Sequence, residues 1–129
     1  MKKLILIFML LFSTVMVSSP SYAEWTKVGK NTDGSVYYVD FERKRKHDGY
    51  VYYWQLTDYI KPTKYGDLSS KIYVQGDCKL FRYKYLSWSF HIEPMGAGPG
   101  AVNTEPKQNW TYPAPNAISE TVLMSICSQ

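Results

Sequence analysis

The stretch that decides the fold is YVYYWQLTDY, at residues 50–59. Its aromatic and β-branched residues favour a β-strand, in which successive side chains point to opposite faces. One face carries Tyr52, Trp54 and Leu56, and the other carries Val51, Tyr53, Gln55 and Thr57. We expect the first set to face the core, because its members are all large and mostly apolar.

Outward from this strand, four more segments have β-type patterns: residues 25–28, 36–39, 70–75 and 78–90. Turn signals such as Asp33-Gly34 and Gly76-Asp77 separate them, as in a chain of hairpins. Within residues 78–90 the apolar face changes parity near Tyr85-Leu86. An extra, unpaired residue restores the alternation, so we predict a β-bulge or a bend at that point.

Residues 91–115 have no periodicity, and we expect a long loop there. Asn116 is then expected to cap a C-terminal helix that has Glu120 in its first turn. The apolar residues of this segment share one side at helical spacing: Ile118, Val122, Leu123, Ile126 and Cys127. The predicted fold class is therefore α+β, an antiparallel sheet of about five strands with one C-terminal helix.

The N-terminus has the pattern of a cleavable signal peptide. Lys2 and Lys3 precede an apolar run, residues 4–17, which is shorter than the roughly 20 residues of a membrane-spanning helix. Ser21-Tyr22-Ala23 then matches a cleavage site. We assign residues 1–23 to the signal peptide and 24–129 to one exported domain, with an uncleaved anchor as the alternative. No cysteine lies in or just after the run, so we expect no lipid attachment there.

The exported part has a modest charge and two cysteines. Removing 23 of the 129 residues leaves 106, with 13 basic and 11 acidic side chains and a net charge of +2. This charge does not favour a nucleic-acid partner. Cys78 and Cys127 both remain, and an even count in an exported chain indicates a disulfide bond. The competing interpretations, a metal-ligand pair or a redox couple, lack a Cys-x-x-Cys spacing.

Catalytic and cofactor chemistry are not indicated. His47 lies in a charged turn and His91 at a strand end, and no serine or cysteine is obviously paired with either in the sequence. The acidic residues mostly occupy turns or strand ends, and the glycines at 96–100 lack the Lys-Ser/Thr sequence of a phosphate-binding loop. We therefore predict no enzyme, no cofactor and no metal.

Two surface features suggest a binding protein. The basic run at residues 43–46 is typical of a solvated hairpin tip, with a contact patch for an acidic partner as the alternative. The exported part also has 18 aromatic residues, and tyrosine-rich strands of both parities cannot bury every ring. Exposed tyrosines beside lysines are typical of protein-binding surfaces.

The exported part resembles the surface-adhesin protein E-like domain of Gram-negative bacteria, over about residues 25–127. The resemblance is carried by an ordered set of short motifs: Trp25 with Val28-Gly29, Val36-Tyr37-Tyr38 before Asp40, Asp77-Cys78-Lys79, Met95-Gly96, Trp110, Pro113, Pro115 and a closing helix ending in Cys127. It implies an antiparallel sheet whose C-terminal helix is clamped by a Cys78–Cys127 bond.

The resemblance also implies adhesion to host matrix or serum proteins and the formation of homodimers. In the family, binding is attributed to basic segments around the strand pair at the first cysteine. The matching positions in this chain are Lys71, Lys79, Arg82 and Lys84. We expect them to flank the Gly76-Asp77 turn and to form one protein-binding patch.

The sequence thus predicts a secreted, periplasmic or cell-surface protein that is not an enzyme and binds a host matrix or envelope protein. It would act through a basic, tyrosine-rich sheet surface. The alternative function is a periplasmic structural or inhibitor-like protein that caps another envelope protein. An enzyme acting through His47 or His91 is the third interpretation. No transmembrane segment is expected after processing.

Overall fold

The structure, a computed structural model, describes residues 24–103 and 109–129. The expected signal peptide, residues 1–23, lies outside the described residues and stays a prediction. Within the described ranges the chain forms one antiparallel sheet and a C-terminal helix, as the sequence predicts. The sheet has seven strands, so the expectation of about five was wrong.

The strands are β1 (Thr26–Lys30), β2 (Val36–Val39), β3 (Arg45–His47), β4 (Tyr50–Asp58), β5 (Ser69–Asp77), β6 (Arg82–His91) and β7 (Gly100–Asn103), and the helix is α1 (Ile118–Cys127). Their order in the sheet is β1-β2-β4-β5-β6-β7, and β3 pairs with the first residues of β4. The sequence missed β3 and β7. Both are short and fully exposed, so they have no alternation of buried and exposed residues to reveal them.

The predicted bulge in β6 is confirmed. Tyr73 pairs with Ser87 and the next residue, Val74, pairs with Tyr85, which leaves Leu86 without a partner on β5. The extra residue places the side chains before and after it on consistent faces of the sheet. Tyr83 and Tyr85 therefore pack against the helix side.

The predicted core face of β4 was wrong. Val51 and Tyr53 belong to the buried cluster that α1 covers, and Tyr53 is only 1% exposed. Tyr52 and Trp54 point the other way and are half-buried, while Leu56 is buried on that opposite face beside Gly96. Both faces of this strand are aromatic, so the position of α1, and not the apolar content, decides which face is inside.

Gly76 explains how α1 can lie so close to this face. A side chain at Gly76 would begin 3.0 Å from Val51 Cγ1 and 3.4 Å from Leu123 Cδ1. The helix therefore packs where β5 has no side chain. Burial raises the pKa of the Tyr53 and Tyr85 hydroxyls beneath it, so both stay neutral at physiological pH.

The helix presents the predicted residues to the sheet. Val122, Leu123 and Ile126 are buried, which confirms the expected apolar side. The capping prediction was wrong by one residue, because the helix starts after Ala117, whose side chain makes no capping bond. Asn116 instead donates its backbone N–H to the Glu120 carboxylate, at 3.3 Å.

A disulfide joins Cys78 to Cys127, with the two Cα atoms 5.5 Å apart, and confirms that prediction. Cys127 ends α1, and Cys78 lies in the turn between β5 and β6, just before the strand on which we expected it. The bond thus fixes the C-terminal end of the helix to the turn that carries Lys79.

Candidate functional site

The sheet face opposite α1, called here the outer face, carries a network of rings and cations. Cross-strand pairing places Arg45, Tyr52, Gln75 and Lys84 in one row across β3, β4, β5 and β6. Side chains of directly paired residues point to the same side of a sheet. The row therefore has a cation at each end and two neutral polar groups between them, all on one surface.

Hydrogen bonds and ring contacts order the middle of the outer face. Arg45 Nη2 donates to the Tyr73 hydroxyl at 3.2 Å, and Gln75 Nε2 donates to the Tyr52 hydroxyl at 3.1 Å. The Tyr73 ring lies 4.9 Å from that of Trp54 and 6.2 Å from that of Tyr52. This role of Arg45 was not predicted from the sequence, because its register with Tyr52 depends on β3.

The most concentrated group of cations and rings lies at the cysteine end of the face. Arg82 Cζ is 4.3 Å and Lys84 Nζ 4.6 Å from the centre of the Trp110 ring, within the range of cation–π attraction. The Tyr50 ring lies 5.4 Å from the same indole. We call Tyr50, Lys79, Arg82, Lys84 and Trp110 the Trp110 patch.

The chain segment that carries Trp110 is attached to the edge of β6. Tyr83 and Thr111 exchange two backbone hydrogen bonds, of 2.9 and 2.8 Å. Since neighbouring residues of an extended segment alternate in direction, Trp110 lies over the outer face while Thr111 faces the other way. The long loop predicted for residues 91–115 therefore supplies a component of the site.

Asp77 organises the turn beneath the patch. Its Oδ1 accepts backbone hydrogen bonds from Lys79 and Leu80, both 3.1 Å long, and its Oδ2 accepts one from Arg82 Nε at 2.9 Å. Burial acts to raise the pKa of the Asp77 carboxyl, but the hydrogen bonds from Leu80 and Arg82 outweigh it and the pKa is lowered. The bond to Asp77 also raises the pKa of the Arg82 guanidinium.

The four residues predicted to bind protein do not form one cluster. Arg82 and Lys84 lie together on Trp110, and Lys79 is exposed in the adjacent turn. Lys71 lies on the same face, opposite Leu56 and Ser89. It is about 13 Å along β5 from the Gln75–Lys84 pair, at roughly 3.3 Å per residue.

The basic run 43–46 is also divided. Arg43 lies 3.4 Å from the Asp40 carboxylate, and Lys44 Nζ donates to the Gln129 backbone carbonyl at 3.2 Å. Arg45 joins the outer face, and Lys46 is exposed beside it in β3. The run is therefore more structured than the solvated hairpin tip that we expected.

The two histidines have different surroundings. His47 is exposed and pairs with Asp48 at 3.1 Å. His91 is buried, with Ser89 Oγ 2.8 Å from its Nε2 and the Gly98 carbonyl 3.1 Å from its Nδ1. The expectation that no serine is paired with either histidine was therefore wrong for His91, because Ser89 and His91 are two residues apart on one face of β6.

In residues 24–103 and 109–129, no three histidine, cysteine, aspartate or glutamate side chains are grouped closely enough to hold a metal ion. Over those same ranges, no helix has the length and apolar character needed to cross a membrane.

Solved structures with a similar fold come from Haemophilus influenzae. Crystal form II of its protein E has 16% sequence identity and a TM-score of 0.63, with 87% of this chain and 94% of that chain covered. Protein E from the non-typeable organism has 17% identity and a TM-score of 0.64, with 86% and 80% covered. At this identity the likeness establishes the fold alone. No curated protein sequence matches this chain.

The family relationship comes from the sequence. The family described as surface-adhesin protein E matches residues 25–128, which include every described strand, α1 and both cysteines. This chain therefore belongs to the surface-adhesin protein E family.

Proposed function

We propose that residues 24–129 form an exported adhesion domain that is not an enzyme and binds a host matrix or envelope protein through its basic, tyrosine-rich outer face. The surface-adhesin description of the family supports adhesion and a place at or outside the cell envelope. Within the outer face we assign the main contact to the Trp110 patch. Lys71 is separate from it.

The observation that carries this assignment is the position of two cations on one indole. Arg82 and Lys84 both lie within 5 Å of the Trp110 ring centre, at 4.3 and 4.6 Å. Side chains that are already ordered lose less entropy when a partner binds. Tryptophan, tyrosine and arginine are also the residue types that contribute most to binding energy at protein interfaces.

Exposed apolar groups border the patch. Tyr112 is 62% exposed and Leu80 is 53% exposed, on the two chain segments that flank Arg82. Such groups offer area that a partner can bury, while the cations give orientation. Because Asp77 neutralises Arg82, the net positive charge of the patch comes from Lys79 and Lys84, and an acidic partner surface complements it.

Replacing the central ring tests this function. We expect Trp110→Ala to weaken binding of the oxidised domain to immobilised basement-membrane extract by about tenfold or more, the loss typical of a central aromatic residue. Tyr65→Ala is the matched control, since Tyr65 is 77% exposed in a loop distant in sequence from the patch. Equal binding by Trp110→Ala and the unchanged protein would show that the Trp110 patch is not the binding site.

Export and location need a separate experiment. We expect the exported protein to begin at Glu24, because the sequence places the cleavage site after Ala23. Its intact mass should therefore lack residues 1–23. Protease treatment of intact cells then distinguishes a surface protein, which is degraded, from a periplasmic one, which is protected. A protected protein isolated with one stoichiometric envelope partner would favour the alternative function, a periplasmic capping or inhibitor-like role.

A further inference from the structure

A concave site lies on the outer face, away from the Trp110 patch. It has a volume of about 220 Å³ and is lined by Trp25, Asp40, Arg43, Trp54, Lys71 and Ser89, which we call the Trp25–Trp54 pocket. Drug-sized ligands usually occupy roughly 300–1,000 Å³. The pocket is therefore suited to one smaller unit, such as a single sugar residue.

The framework of this pocket is fixed by the sheet. The Asp40 backbone N–H donates to the Trp54 carbonyl at 3.1 Å, which places the two residues side by side. Lys71 and Ser89 are directly paired across β5 and β6. Trp54 pairs with Tyr73, two residues from Lys71, so Trp54 and Lys71 are diagonal neighbours on this face.

The charges of the pocket leave one free cation. Arg43 Nε lies 3.4 Å from Asp40 Oδ2, so these two charges offset each other. In the described part of the chain, Lys71 is paired with no carboxylate. The net charge of the lining residues is thus positive, which favours a ligand with one anionic group.

The pocket also has oxygen atoms that can accept hydrogen bonds. Asp40 is 1% exposed, and within the described ranges its Oδ2 is the buried side-chain polar atom that has no hydrogen-bond partner. Arg43 Nε lies 3.4 Å from this oxygen without forming a hydrogen bond to it, on a side chain that is 53% exposed. A buried acceptor without a donor is unfavourable, so a ligand hydroxyl that reached it would be stabilised.

Ser89 supplies the second acceptor. The Gly98 carbonyl can only accept, so His91 Nδ1 donates to it, and in the neutral imidazole Nε2 then accepts the Ser89 hydroxyl proton. The lone pairs of Ser89 Oγ then remain for a donor in the pocket.

We propose that the Trp25–Trp54 pocket binds a carboxylate-bearing sugar residue, of the uronic or sialic acid class. The ligand carboxylate binds Lys71 Nζ, ring hydroxyls donate to Asp40 Oδ2 and Ser89 Oγ, and the apolar ring face packs on an indole. An acidic protein side chain would use Lys71 alone and leave both acceptors unfilled. This site is independent of the proposed function at the Trp110 patch.

The test is a titration of the ¹⁵N-labelled, oxidised domain monitored by NMR at the indole N–H signals. Sialyllactose and glucuronate are the acidic probes, lactose is the neutral control, and a glutamate-rich peptide represents an acidic protein. We expect the acidic sugars to shift the signals of Trp25 and Trp54 and to leave that of Trp110 unchanged. Lactose and the peptide should not shift the signals of Trp25 and Trp54 comparably.

Two variants with matched charge changes complete the test. Lys71→Gln should weaken binding of the acidic sugars by about tenfold, because a charge-assisted hydrogen bond is lost. Lys61→Gln removes the same charge in an exposed loop outside the pocket and should leave their affinity unchanged. The proposal is overturned if neither acidic sugar shifts Trp25 or Trp54 at tens of millimolar, if lactose binds equally well, or if both variants weaken binding alike. A response to the peptide alone would assign the pocket to protein recognition instead.

Discussion

The Asp77 carboxylate accepts a hydrogen bond from Arg82 Nε at 2.9 Å and at the same time closes the turn that contains Cys78 and Lys79. One buried side chain therefore connects the disulfide-bearing turn to the cation that lies on Trp110. The order of the Trp110 patch and the stability of the fold depend on the same group.

This relationship predicts a specific dependence of stability on pH. The folded-state pKa of Asp77 is lowered, so its stabilising contribution is complete above the ordinary aspartate pKa of about 4 and is lost as pH falls through the lowered folded value. Asp77→Asn keeps an acceptor for the turn but loses the charge. We expect its urea-unfolding free energy to fall less steeply with acidification than that of the unchanged protein. Parallel curves would contradict the role given to Asp77.

The disulfide should supply a large share of the stability. The chain-entropy relation for a loop with a sequence separation of 49 gives a contribution of about 4 kcal/mol. We expect Cys127→Ser to lower the free energy of unfolding by about that amount, and Cys78→Ser with Cys127→Ser to lose no more than either single change. Denaturant titration measures these losses. Free thiols in the oxidised native protein would contradict the bond.

The packing of α1 on the sheet can be tested with two neighbouring residues of the helix. Leu123 is fully buried against the region of Gly76, so Leu123→Ala should cost about 2–5 kcal/mol through lost burial and a cavity. Met124 is 52% exposed on the same helix, and Met124→Ala should change stability by about 0.5 kcal/mol or less. Similar losses for the two variants would mean that α1 does not pack as described.

The main elements of the fold could be predicted from the sequence, because each depends on a local pattern of residues. Tyrosine- and valine-rich strands, the parity change at Leu86 and the helical spacing of Val122 and Ile126 are local patterns, and the structure confirms each. The inside face of β4 was not predictable in this way. Val51 and Tyr53 became core because α1 packs over Gly76, a contact between distant parts of the chain.

For the same reason, the candidate site could be predicted from the sequence only in part. Arg82 and Lys84 were expected near the first cysteine, but their contact with Trp110 depends on the pairing of Tyr83 with Thr111. Lys71 was grouped with them because the family resemblance pointed to it and because it flanks the same turn, Gly76-Asp77. The structure separates it, since a strand extends charges along its axis instead of gathering them.

Charge reversal tests whether the Trp110 patch binds a protein partner. Lys79→Glu with Lys84→Glu changes two cations of the patch and leaves the Asp77–Arg82 pair intact. Lys61→Glu with Lys64→Glu changes the net charge equally in an exposed loop. Circular dichroism is recorded beside the binding measurement to check that both variants are folded.

The measurement is the affinity of each variant for immobilised basement-membrane extract at low and at physiological salt. We expect the patch variant to lose about tenfold or more in affinity and most of its salt dependence, because electrostatic attraction to an acidic surface is screened by salt. The loop variant should bind as the unchanged protein does. Equal losses in the two variants, or no loss in the patch variant, would contradict the claim.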